Sequence, residues 1–98
     1  MVLDPRTRGT LEQIIDSFIQ IIPNFVKPLF DPQQRVRWHI QNQNDFSIGF
    51  SLGSICSIFL NYFHSIYGRY PNKDEILEAM DIIHRRTAEI RDAIFKVG

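Results

Sequence analysis

The side chains of this sequence that could do chemistry are few: His39, His64 and His84, and one cysteine, Cys56. The spacings Asp81-x-x-His84 and Asn61-x-x-His64 let two polar groups share a helical face. A metal centre needs three or four converging ligands, and neither pair has a second histidine in reach along the sequence. Cys56 falls on an apolar stripe with no neighbouring base, the setting of a small buried hydrophobe rather than of a reactive thiolate. No G-x-S-x-G, phosphate-cradling glycine loop or H-E-x-x-H occurs. A ligand- or metal-binding enzyme is therefore the minority reading, with no catalytic residue, metal or cofactor expected.

A better recognition element lies at residues 33–44. Arg35, Arg37, Trp38 and His39 stand there among glutamines and asparagines, with no acid. Arginine beside an aromatic can stack on bases, and amides can bond their edges. The plainer reading is an amphipathic element anchored by Val36, Trp38 and Ile40. Residues 68–76 suggest the turn that enters a helix-turn-helix unit, but residues 69–98 hold six basic and six acidic side chains. A DNA reader wants a basic stripe on one face. Over the chain, eleven basic and eleven acidic residues cancel, which argues against strong non-specific attraction to nucleic acid or anionic membrane. A small nucleic-acid-binding regulator is the alternative, not the leading expectation.

The elements that must position these groups read as helices. Between Asp45 and Arg69 there is no formally charged side chain, and Ile48, Leu52, Ile55, Phe59, Tyr62 and Ile66 recur at steps of four and three. After the Gly68–Asn72 break come Ile76, Met80, Ile83, Thr87, Ile90 and Ile94 at the same spacing. Two equal stripes about a short turn predict an antiparallel, heptad-matched helical hairpin over residues 45–67 and 73–96. Asn72 and Glu75 form a cap pair for its second arm, and Asp81–Arg85 and Arg85–Glu89 are opposite charges four apart. Thr10 with Gln13 predicts a capping box opening a helix over 11–22, which Pro23 ends or kinks. Residues 1–9 read as a flexible polar arm and 23–32 as a Pro-rich packed connector. Residues 32–43 are ambiguous: Asp31-Pro32 is a good helix start, while alternation at 36–40 and 46–52 would suit a β-hairpin. Helix is preferred over strand there. The prediction is an all-α antiparallel bundle, with residues 10–98 as one helical domain.

Function then rests on surfaces. Beside the first stripe runs a second: Gly49, Gly53, Cys56, Leu60, Phe63 and Tyr67. Glycine inside a helix costs about 1 kcal/mol relative to alanine, so two on one face call for a packing reason. The first helix or a second copy of the chain would supply it. A smaller apolar flank, Ala79, Ile82, Ala93 and Val97, is interrupted by Arg86. The expected self-association surface therefore draws on Gly49, Gly53, Leu60, Phe63, Tyr67, Ala79, Ile82 and Ala93, in a two-fold dimer. One cysteine excludes an intrachain disulfide, and the N-terminus shows no signal-peptide pattern, so the cytoplasm is the expected address. The uncharged run exceeds the roughly 20 residues of a membrane span, but Ser47, Ser51, Ser54, Ser57, Asn61, His64 and Ser65 interrupt it. A buried helix of a soluble bundle is preferred. The leading expectation is a cytoplasmic, non-enzymatic helical protein that self-associates and binds a protein partner.

Overall fold

Asp4 and Pro5 open the first helix: the Asp4 carboxylate accepts the Thr7 N–H at 2.8 Å, and Pro5 has no N–H to leave unpaired. The computed structural model describes residues 2–97. In it, α1 spans Pro5–Val26, a short 3-10 helix Lys27–Phe30, α2 Pro32–Arg37, α3 Gln43–Tyr67, α4 Lys73–Arg85 and α5 Thr87–Phe95. Among the described residues the fold is all-α, without strands. It forms an elongated body of 42 × 23 × 18 Å.

Two boundary expectations are corrected. The first helix begins at Pro5, not at Leu11, so residues 5–9 belong to it and not to a loose arm. Thr10 lies inside it, its hydroxyl turned back onto the Arg6 carbonyl at 3.0 Å. Pro23 neither ends nor breaks it, because a proline removes one hydrogen bond near the C-terminal end and packing carries the helix on to Val26. Residues 32–37 are helical, as preferred, with Asp31 as the N-cap accepting the Gln33 N–H at 2.8 Å.

The heptad hairpin is corrected more deeply. The final arm is two helices, broken at Arg86. The guanidinium there meets Glu89 at 2.9 Å, Asp16 at 2.5 Å and Glu12 at 3.3 Å, fixing the break against α1. The buried row of α3 is Ser47, Ser51, Ile55, Phe59 and Phe63, a strict step of four. Such a row winds around the helix and suits obliquely crossed packing, whereas a four-three stripe suits a coiled-coil seam. Of the expected stripe, Ile55 and Phe59 are buried, Ile48, Leu52 and Tyr62 are half-buried, and Ile66 is exposed. In the second stripe Ile83, Ile90 and Ile94 are buried, while Ile76 and Met80 face solvent.

The reason is α1. At 22 residues it is long enough to contact α3, α5 and α4, and its Leu11, Ile15, Phe18, Ile22 and Val26 are all interior. α3 and α4 consequently meet at most marginally, and the final arm packs on α3 through α5. The core joins the α1 row to Ile55, Phe59 and Phe63 of α3, Ala79, Ile82 and Ile83 of α4, and Ile90 and Ile94 of α5.

Candidate interaction surfaces

α3 is packed along one row only, so its two flanks border open seams. On one flank α3 and the α4–α5 arm enclose a cleft of about 210 Å³ lined by Leu52, Cys56, Met80, Ile83, His84 and Thr87. Tertiary structure thus brings Cys56 and His84 into one cleft, a pairing that their distance in sequence conceals. It does not make a reactive dyad. Burial pushes the Cys56 thiol above its ordinary pKa, and among the described residues it has no hydrogen-bond partner. Thr87 bonds back to the Ile83 carbonyl at 3.4 Å. Among the described residues no group of three His, Cys, Asp or Glu side chains could hold a metal.

Gly49 and Gly53 lie on the outer lip of this flank, exposed, and a Cβ built on either would meet nothing within 4 Å. The first helix therefore does not fill the glycine groove. Leu60 is half-buried on the same flank, whereas Tyr67, though exposed, turns its hydroxyl to Asp4 and Thr7 at the start of α1. Three members of the expected self-association set are corrected: Phe63, Ala79 and Ile82 are buried inside the chain's own core. Ala93 is half-buried and lines a different hollow with Ile19, Pro23 and Glu89, between α1 and α5. The flank expected on the final arm is thus absorbed by α1, which the sequence pattern shortened.

The opposite flank of α3 faces α1. Here the rings form a ladder: Phe18–Phe25 at 5.4 Å, Phe25–Phe50 at 5.1 Å, Phe46–Phe50 at 6.2 Å, then Trp38 edge-on to Phe46 at 6.1 Å and to Phe50 at 6.5 Å. Beyond Phe18 the seam continues as a groove of about 370 Å³ lined by Thr10, Gln13, Ile14, Ser17, Ile21 and Ile58. Trp38 is 52% exposed and Val36 74%, so of the three expected anchors of 32–43 only Ile40 is buried. α2 ends with His39 in the left-handed region at φ 54°. Its N–H bonds the Val36 carbonyl at 3.2 Å, and the Ile40 N–H bonds the Arg35 carbonyl at 2.9 Å. This is a Schellman closure with histidine where glycine is usual. It drops Ile40 into the body and leaves Trp38 on the surface, with Arg35 half-buried and Arg37 and His39 exposed around the α2 corner.

At the far end of the body, polar groups are locked to one another. The Tyr67 hydroxyl donates to the Asp4 carboxylate and accepts from the Thr7 hydroxyl at 2.7 Å. Arg69 grips Glu75 with both nitrogens, at 2.8 and 3.1 Å, and lies 5.2 Å from the Phe63 ring centre. Asn72 and Glu75 complete a reciprocal capping box. The Glu78 carboxylate accepts the N–H groups of Val2 and Leu3 at 2.9 and 2.7 Å. Tyr67 holds Asp4 below its ordinary range, Arg69 does the same to Glu75, and the Leu3 N–H to Glu78. These are structural bonds between fixed partners, and none leaves a group poised for proton transfer.

By length and composition α3 could cross a bilayer, with 28% of its most apolar window buried. Comparison with protein-family models, with curated proteins and with solved structures finds no match to this chain.

Proposed function

We propose that this is a small cytoplasmic, non-enzymatic helical protein that self-associates and serves as a protein-interaction module. Glycines 49 and 53 carry this reading. Each costs the helix about 1 kcal/mol relative to alanine, and among the described residues nothing would crowd a Cβ at either position. A helix backbone from a second copy, laid across that stripe, is a reason for both. The neighbouring surface supports it: Leu52 and Leu60 are half-buried, Met80 is 55% exposed, and Leu77 is exposed on the facing helix. No formal charge lies on α3 beyond Asp45, so two copies of it can approach without repulsion.

The test is solution mass by light scattering over a concentration series, with circular dichroism alongside. The unaltered chain is expected to form a dimer at tens of micromolar. Gly53→Leu is expected to shift it to monomer without loss of helix, since the added side chain meets only a partner. A monodisperse monomer at high micromolar concentration would refute self-association.

A further inference from the structure

The second flank of α3 has a different chemistry, and it gives the protein-interaction reading, on which this inference rests, a defined partner. We propose that the seam between α1 and α3 is the docking groove for an amphipathic helix of a partner protein, with acidic residues at both of its ends. Phe18, itself buried, joins the ring ladder to the lined hollow, so the two lie end to end along one α1–α3 seam. Its α1 wall, from Thr10 to Phe25, is about 22 Å long at 1.5 Å per residue, so it takes roughly four turns of helix. Ile21, Phe25 and Ile58 stand along it with 48%, 41% and 43% of their surface exposed. Such spacing suits apolar anchors at i, i+3, i+4 and i+7 of an incoming helix.

Charge selects the occupant. None of the residues lining the seam is acidic. The two acids of α1, Glu12 and Asp16, are turned away and engaged by Arg86. Asp31 caps α2 at the end away from Trp38, and Asp45, exposed in the first turn of α3, is one acid against the two arginines there. Cations mark both ends: Arg6, one turn before Thr10 on α1, and Arg35 with Arg37 beside Trp38. An apolar helix with acidic flanks is complementary to that arrangement, and one with basic flanks is opposed by it.

Trp38 is the only tryptophan and closes one end of the ladder, so its emission reports occupancy. The probe is a synthetic amphipathic peptide of about sixteen residues, leucines on one face and glutamates at both ends; its twin carries lysines instead. The glutamate peptide is expected to blue-shift Trp38 and saturate at one peptide per chain. The lysine twin should bind at least about tenfold more weakly. Ile21→Asp should abolish the shift, and Arg35→Glu with Arg37→Glu should reverse the preference between the peptides while helicity is retained. The titration is repeated on a Met80→Asp chain, which charges the self-association flank away from the seam, where an unchanged response separates the two surfaces. The proposal is overturned if neither peptide moves Trp38 or if both bind alike. It is overturned equally if phosphatidylserine vesicles or oligothymidylate shift the emission in place of the glutamate peptide, which would assign the seam to a membrane or to nucleic acid.

Discussion

The two ends of the bundle are held by different forces. Where α1 begins and α3 ends, groups distant in sequence interlock, Tyr67 with Asp4 and Thr7 and Glu78 with the backbone of Val2 and Leu3, while Arg69 clamps Glu75 across the turn between α3 and α4. Where α1 ends and α3 begins, rings pack on rings, and the core row is completed by Ser47 and Ser51, fully buried and without a hydrogen-bond partner among the described residues. The polar end fixes the angle between helices through directional bonds. The aromatic end specifies area rather than geometry, and it is the end whose rings remain partly exposed. A charged group satisfied within the chain is unavailable to a ligand, whereas an aromatic edge packed on one side still offers the other.

Truncating a ring at each end should give the largest contrast. Phe63→Ala removes a buried ring from beneath Arg69 and Tyr67 and is expected to cost about 3–5 kcal/mol, read as a lower urea midpoint. Phe46→Ala, at a half-buried ring of the open end, should cost about 1–2 kcal/mol. Equal losses would mean that the aromatic end is as tightly packed as the polar one.

Acid should loosen the ends unequally. Asp4, Glu75 and Glu78 titrate below their ordinary range in the folded chain, because Tyr67, Arg69 and the Leu3 N–H favour the carboxylates. The unfolded chain therefore takes up these protons first. The stabilisation is complete above about pH 4.5 and is lost as pH falls through the lower folded values. Amide exchange at pH 3 should accelerate at the start of α1 and of α4 before α2 and the first turns of α3. Tyr67 is raised by its bond to Asp4, so the same end should loosen again above about pH 10. Glu78→Gln with Tyr67→Phe should flatten both limbs; a profile unchanged by the pair would place the acid sensitivity elsewhere.

Smaller effects sharpen the comparison. Ser51→Ala removes a buried hydroxyl that has no partner and should raise stability by about 1 kcal/mol, whereas Ser51→Leu overpacks the site and should lower it by about 1–3 kcal/mol. Gly53→Ala, into open space, should add about 0.5–1 kcal/mol to the monomer's stability while weakening any dimer. Thermal melts at two protein concentrations separate the two contributions.

What the sequence determined by itself was local. Asp31-Pro32 and Asn72 with Glu75 fix helix starts because a cap and the groups it satisfies lie within three residues. The uncharged run of α3 and the Asp81–Arg85 pair follow from the same short range, and so does the all-α class. Only the tertiary structure decided which face of each helix is inside. An apolar arc covering half of α3 admits more than one packing row, and the choice between a heptad stripe and a step of four depends on what lies across from it. α1 made that choice by extending to Pro5 and through Pro23, with its first turns tied by bonds from residues 60 to 75 positions away. Nothing in the local sequence of residues 1–9 encodes those partners. The glycine lip stayed on the surface, as one of the two packing readings of that stripe required, while Phe63, Ala79 and Ile82 turned inward. Local bonds are written into neighbouring residues, but the orientation of a broadly apolar helix is settled by whichever neighbour removes the most area from water.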